Sequence, residues 1–119
     1  MNMKERVNDY IKQHWKNTIR TGISKTDEIP LPYPTTVPCE NQRFTYFFYW
    51  DTYFTNLGLL YDMPKQALNN LRNMKYLVER FGFIPNANLT NMLNRSQPPL
   101  FCCAVYDYYQ LYPSLDIVY

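Results

Sequence analysis

Glycine is scarce in this chain and aromatic residues are abundant, and this combination constrains the fold more than any other feature. The chain has three glycines, where average usage would give about eight in this length, against twelve Tyr, seven Phe and two Trp. Turn-rich β folds use glycine at many tight turns. Few glycines and many bulky rings therefore favour long, packed helices, and we predict an all-α fold.

Length and charge limit the classes of protein that fit. The 119 residues suit one ordinary domain with its own core. Twelve basic and ten acidic residues give a net charge of +2 without a run of like charge, which excludes an electrostatic nucleic-acid surface. No apolar stretch approaches the roughly 20 residues of a membrane span, and no apolar signal segment is visible at the N-terminus. We therefore predict a cytoplasmic protein that binds neither nucleic acids nor membranes.

The cysteine and histidine content predicts no metal or cofactor. Cys39, Cys102 and Cys103 are odd in number and two are adjacent, so they form neither a disulfide framework nor a spaced metal motif. We expect buried, reduced thiols. His14 is the only histidine and is expected at the surface, and the sequence has no glycine-rich phosphate loop.

The first third of the chain divides into a helix and a loop. Residues 1–22 predict an N-terminal amphipathic helix from about Asn2 to Arg20, because apolar residues recur at three- and four-residue steps, with Gly22 placed after it. Residues 23–42 contain four prolines and predict an extended loop.

Three further helices are expected in the rest of the chain. The second runs from Tyr49 to Tyr61 with Trp50 or Asp51 at its start, where an Asp can accept a hydrogen bond from the first turn. The third runs from residue 64 to residue 81, with a proline at its first position and a glycine after its end. Pro98-Pro99 opens the fourth, which continues to about Tyr112. Four helices predict two helical hairpins.

Two clusters of polar and aromatic residues indicate carbohydrate binding. In residues 43–53, aromatic rings can stack on sugar C–H faces, and Arg or Asp can form charge-assisted hydrogen bonds with hydroxyls. Most of these rings are expected in the core, whereas Trp50-Asp51 at a helix start suits a pocket. Residues 86–97 add amides that both donate and accept, as sugar hydroxyls do. An Asn-rich turn explains Asn88 and Asn91 better than ligand binding does. It does not explain Arg95 and Gln97, which precede two prolines.

Together the two clusters resemble the trehalase family of glycoside hydrolases. Arg43-Phe44, Trp50-Asp51 and Tyr53 have the spacing of the family's first motif. Residues 82–86 and 95–99 match its second motif, which ends Arg-Ser-Gln-Pro-Pro. The resemblance covers about residues 31–105 and includes both motifs in the family's order.

The resemblance implies a fold, a reaction and a set of ligand residues. The fold is an (α/α)6 toroid of the six-hairpin glycosidase type, of which this chain would supply about two hairpins. The reaction is hydrolysis of α,α-trehalose to two glucose units with inversion, without a cofactor. The residues that match the family's sugar-binding positions are Arg43, Trp50, Asp51, Asn86, Arg95 and Gln97.

The chain departs from the family motifs at several positions near these residues. Leu89 replaces an Arg, and Asn91 and Met92 replace two tyrosines. Residues 39–42 stand in place of a glycine pair before Arg43. These changes leave open whether the substrate is trehalose or another α-glucoside.

The resemblance also implies that the catalytic carboxyls lie beyond Tyr119. Inversion needs an acid and a base about 6.5–9.5 Å apart, and the family places both downstream of the second motif. Asp51 is the carboxylate within the motifs, and the family uses it for binding. We therefore expect the 119 residues alone to be inactive and to need further barrel helices or a partner chain. The alternatives are a non-catalytic carbohydrate-binding or interaction module and a glycosidase acting on another α-glucoside.

Overall fold

The computed structural model describes residues 1–22, 27–40 and 44–113, which form four α-helices and one small sheet. The helices are α1 (Met3–His14), α2 (Tyr49–Asp62), α3 (Pro64–Phe81) and α4 (Phe101–Leu111). Strands β1 (Ile19–Arg20) and β2 (Thr35–Thr36) pair in antiparallel fashion. Short 3-10 turns occupy Trp15–Thr18 and Thr90–Met92. The all-α prediction is confirmed, and the arrangement is consistent with part of an (α/α)6 toroid.

Helices α2 and α3 form a hairpin whose ends follow from the sequence. Only Met63 separates the two helices, and Pro64 takes the first position of α3, where a proline costs no intrahelical hydrogen bond. Gly82 ends α3 with a φ of 81°, a conformation that strains residues with a Cβ. The predicted third helix is confirmed at both ends.

The hydrophobic core lies between α2, α3 and α4. Helix α4 packs against both members of the hairpin and buries Ala104 and Tyr108. Ile29, Phe47 and Ile84 from the connecting segments complete the core. The largest fully buried apolar side chains include Phe47, Leu59, Leu71, Met74 and Leu77.

The N-terminal segment differs from the prediction. Helix α1 starts at a capping box formed by Asn2 and Glu5 but ends at His14, not near Arg20. After the 3-10 turn the chain becomes strand β1, which pairs with β2 inside the predicted 23–42 loop. Helical periodicity cannot detect a strand pair of two residues each. Helix α1 buries none of its side chains.

Two predictions about α4 are corrected. The helix begins at Phe101, with Leu100 as its N-cap, so Pro98-Pro99 precede it. Cys102 and Cys103 are exposed and Cys39 is half-buried, so the predicted burial of the thiols is wrong. The reason is helix geometry, because Ala104 and Tyr108 lie four residues apart on the buried face and Cys102 and Cys103 fall outside it.

Candidate functional site

The two sequence clusters meet at the end of the bundle where α2 and α4 begin. The backbone N–H of Trp50 donates to the side-chain Oε1 of Gln97 over 2.8 Å. The Tyr49 N–H donates to the Asn86 carbonyl over 3.2 Å, and the Asn86 N–H donates to the Arg95 carbonyl over 3.0 Å. Hydrogen bonds therefore join the segments that carry five of the six predicted ligand residues, with Asp51 next to Trp50 in the first turn of α2.

The start of α2 is built differently from the prediction. Its N-cap is Phe48, whose side chain makes no capping bond, and neither Trp50 nor Asp51 takes that role. The Gln97 side chain provides the acceptor instead. Asp51 lies half-buried in the first turn of α2, where the helix dipole stabilises a negative charge. Within the described part of the chain its carboxylate has no hydrogen bond or ion pair, so it is available to a ligand.

Trp50 presents an aromatic surface to solvent. Its side chain is 41% exposed and meets the Phe54 ring edge-on, with the ring centroids 5.8 Å apart and the planes inclined at 64°. Phe54 is also exposed. An exposed indole next to a carboxylate at a helix start is a suitable platform for a sugar ring.

The second cluster supplies side chains that are only partly engaged. The Asn86 amide is half-buried and donates to Met92 Sδ over 3.7 Å, a weak contact. The Arg95 guanidinium is exposed and donates from Nε to Asn94 Oδ1 over 3.1 Å. Ser96 Oγ donates to the Ile84 carbonyl over 2.6 Å and holds this backbone in place. Asn86 and Arg95 therefore have donors left for a ligand.

Asn88 has the structural role that the turn interpretation predicts. Its side chain is buried, with Oδ1 accepting from the Phe47 N–H over 2.8 Å and Nδ2 donating to the Ile29 carbonyl over 3.0 Å. Leu89, at the position of the family's arginine, is buried and bridges to Glu28. The segment around residue 88 therefore ties two other segments to the site without facing a ligand.

Sequence reasoning missed Tyr49 as a contributor to the site. Its buried hydroxyl accepts from the Phe101 N–H at the start of α4 over 2.8 Å. Burial raises the pKa of the Tyr49 hydroxyl, and the hydrogen bond from Phe101 opposes that rise. Nothing in the sequence distinguishes Tyr49 from the other aromatic residues around it.

One predicted ligand residue, Arg43, lies outside the described residues, so its role stays a prediction. A groove of about 640 Å³ lies elsewhere, between α1 and the outer side of α2. It contains none of the predicted ligand residues and is lined by aromatic side chains that include Tyr10, His14 and Trp15.

The described ranges contain neither a metal-binding cluster nor a membrane-spanning helix. No cluster of three or more His, Cys, Asp or Glu side chains could hold a metal ion there. No helix among residues 1–22, 27–40 and 44–113 has the length and apolar character needed to cross a membrane.

The helical hairpin arrangement, with both sequence motifs at one end of the bundle, is consistent with part of the six-hairpin fold of glycoside hydrolases. The family model described as trehalase matches residues 1–117. The chain therefore belongs to the trehalase family, and the resemblance seen in the sequence is confirmed.

Individual relatives support this assignment. The chain is 37% identical over 102 residues to a periplasmic trehalase of Xanthomonas campestris, covering 80% of this chain and 17% of the relative. It is 45% identical over 78 residues to a periplasmic trehalase of Pseudomonas aeruginosa, covering 65% of this chain and 14% of the relative. A trehalase of Dictyostelium discoideum is 42% identical over 90 residues, covering 75% and 15%. The chain thus spans only about a sixth of the length of the curated relatives it matches.

The predicted cytoplasmic location is wrong. The bacterial relatives from Xanthomonas and Pseudomonas are named periplasmic trehalases, which points to the periplasm. The prediction rested on the missing apolar segment at residue 1. In a chain that spans so small a part of its relatives, that absence carries no information about location.

Proposed function

We propose that these 119 residues form the sugar-binding part of a trehalase-like inverting α-glucoside hydrolase, with α,α-trehalose as the substrate. One observation carries the proposal, namely the hydrogen bond between Trp50 N–H and Gln97 Oε1. It links the two segments that resemble the family's sugar-binding motifs, although 47 residues separate them. Convergence at one helix end is what a shared ligand requires.

The chemistry of the site supports binding by side chains of complementary types. Trp50 offers a stacking surface, Asp51 offers acceptors, and Arg95 and Asn86 offer donors. Charge-assisted hydrogen bonds, accepted by Asp51 and donated by Arg95, are the stronger class. Arg43 is proposed as a further ligand on the strength of the motif alone.

We further propose that the 119-residue polypeptide does not hydrolyse the glycosidic bond by itself. Inversion requires two carboxyls on opposite sides of that bond. The two clusters, residues 43–53 and 86–97, contain one carboxylate, Asp51. The acid and the base would then come from other parts of the enzyme, and these residues would hold and orient the sugar.

A second candidate substrate is another α-glucoside, and Met92 favours it. The family has tyrosine at this position, whereas here the Met92 sulfur accepts from the Asn86 amide. The contact engages one of the two N–H donors of the Asn86 amide, and the replacement removes a phenolic hydroxyl from the site.

The test is a thermal melt of the chain with excess trehalose, maltose or cellobiose. Because a ligand that binds only the folded state raises the melting temperature, we expect a shift with trehalose and none with cellobiose, a β-glucoside. The Arg95→Ala variant should lose the shift. The Arg80→Ala variant should retain it, because Arg80 is an exposed arginine at the end of α3 with a single hydrogen bond to Tyr76.

The outcomes separate the two candidates. A larger shift with maltose than with trehalose would favour the other α-glucoside, and no shift with either sugar would contradict the proposed binding. An assay for released glucose completes the test, because hydrolysis of trehalose by the purified chain would contradict the proposed inactivity.

A further inference from the structure

Neither α2 nor α4 caps its own N-terminus. The N-cap residues are Phe48 and Leu100, and neither side chain forms a capping bond. The first N–H groups of a helix have no intrahelical acceptor and need one from elsewhere. Both helices therefore depend on partners that are distant in sequence.

Each helix receives its acceptor from the other helix's segment. Gln97, four residues before α4, accepts from Trp50 in the first turn of α2. Tyr49, the first residue of α2, accepts through its hydroxyl from Phe101, the first residue of α4. We call this pair of bonds, Gln97 to Trp50 and Tyr49 to Phe101, the reciprocal cap.

We propose that Tyr49 is a positioning residue that, through the reciprocal cap, fixes the Trp50-Asp51 segment relative to the Arg95–Gln97 segment. The inference deepens the proposed sugar-binding function and rests on it for its effect on affinity. Tyr49 itself need not touch the sugar. Its hydroxyl acts by holding the start of α4, and its backbone N–H holds Asn86.

The covalent chain between the two bonds makes them cooperative. Tyr49 and Trp50 are adjacent in α2, so the Tyr49 hydroxyl and the Trp50 backbone N–H move together. Gln97 and Phe101 are joined through Pro98-Pro99, whose fixed φ angles stiffen the connection. Two hydrogen bonds and two stiff segments form a closed ring, so breaking one bond should loosen the other.

The burial of Tyr49 prevents water from replacing its hydroxyl easily. The side chain is 5% exposed and belongs to the core cluster. A phenylalanine at this position would keep the ring packing and leave the Phe101 N–H without its acceptor. The Tyr49→Phe variant therefore tests the hydroxyl separately from the ring.

Tyr112 provides a matched control on the same helix pair. Its hydroxyl donates to the Leu60 carbonyl over 2.7 Å and links the opposite ends of α4 and α2. The Tyr112→Phe variant also removes one hydroxyl that joins these helices, but far from the reciprocal cap.

The first measurement is amide hydrogen exchange at Trp50 and Phe101 in the full chain. In Tyr49→Phe we expect both amides to exchange about fivefold faster, as loss of one hydrogen bond implies. In Tyr112→Phe the exchange rates of these two amides, compared with those of amides in the helix interiors, should not change. Faster exchange at Phe101 with no change at Trp50 would overturn the coupling.

The reverse experiment tests the proposal even if the Tyr49→Phe variant does not fold. The Gln97→Ala variant removes the acceptor for Trp50 and leaves Tyr49 intact. If the reciprocal cap is cooperative, Phe101 should also exchange faster in this variant. Unchanged exchange at Phe101 would overturn the proposal.

Sugar affinity provides the functional measurement. The Tyr49→Phe variant should bind trehalose about fivefold more weakly, a factor equivalent to one typical hydrogen bond, and Tyr112→Phe should bind like the wild type. Equal affinities of Tyr49→Phe and wild type would overturn the positioning role. Absence of binding by the wild type would instead contradict the proposed function, and the exchange experiment would still decide the coupling.

Discussion

At the scale of single residues, the orientation of the Gln97 amide determines what this residue can offer a ligand. Its oxygen already accepts from the backbone N–H of Trp50, whereas its NH2 end, which only donates, makes no hydrogen bond within the described residues and is the group that we expect to meet a sugar. Gln97 thus combines a structural acceptor and a ligand donor in one side chain. A substitution that keeps the acceptor and removes the donor can test the two roles separately.

The Gln97→Glu variant should keep stability and lose affinity. A carboxylate retains the acceptor for the Trp50 N–H and is favoured at a helix N-terminus, but it has no NH2 donor. We expect unfolding free energy within about 0.5 kcal/mol of the wild type and trehalose binding weaker by about tenfold, or 1.4 kcal/mol. Denaturant melts and titration calorimetry measure the two quantities.

Gln97→Ala is the matched comparison, because it removes both ends of the amide. This variant should lose about 1 kcal/mol of stability as well as affinity, as the loss of a helix cap does. If Gln97→Glu binds trehalose as tightly as the wild type, the NH2 group is not a ligand donor and the assignment fails.

At the scale of secondary-structure elements, buried amides attach the Pro-rich loop to the α2–α3 hairpin. Asn70 accepts from the Thr36 N–H, and its Nδ2 donates to Asn56 Oδ1 over 2.9 Å and to Thr36 Oγ1 over 3.0 Å. One turn further along α3, Asn73 donates to the Tyr33 carbonyl and accepts from the Tyr33 N–H. These bonds hold β2 and the residues before it against α3, and the Asn70 side chain provides the acceptor for the Thr36 N–H.

The Asn70→Ala variant should lose about 3 kcal/mol of unfolding free energy, because several buried groups lose partners that water cannot easily replace. Asn69→Ala is the control, since Asn69 is a half-buried neighbour on α3 and both substitutions raise helix propensity equally. Urea denaturation gives the two values. Equal losses in the two variants would show that the buried network contributes nothing specific.

The elements that sequence predicted well are those determined by local signals. Helix α3 has a proline at its start, a glycine after its end and an apolar face between them, and all three signals are local. Strands β1 and β2 depend on pairing between residues 19–20 and 35–36, which no local pattern encodes. The same limit explains why the caps of α2 and α4 were missed, since each acceptor comes from a residue about fifty positions away.

The candidate site shows the same division. The residue types in the two motifs predicted that Trp50, Asn86 and Gln97 belong together, and the hydrogen bonds bring their segments together. Tyr49 was not predicted, because its role depends on where α4 begins in space. Whether these side chains bind a sugar stays a prediction.

At the scale of the whole molecule, helix α2 carries an apolar stripe that the described residues leave uncovered. Phe54, Leu57 and Tyr61 follow one another at steps of three and four residues, which places them on one face. They are 53%, 42% and 74% exposed. In relatives of which this chain spans about a sixth, much further chain is available to cover such a face. In the isolated chain, a second copy offers an apolar surface that can cover it.

We therefore expect the purified 119-residue chain to self-associate through this stripe, because large exposed apolar patches drive association. Sedimentation velocity over a range of concentrations should show a mass that rises with concentration.

Leu57→Lys places a charge at the centre of the stripe and should make the chain monomeric. Val7→Lys adds the same charge on α1, where Val7 is exposed and the helix buries no residue, so this control should associate like the wild type. A wild-type chain that stays monomeric at every concentration, or a Val7→Lys variant that dissociates as fully as Leu57→Lys, would contradict association through α2.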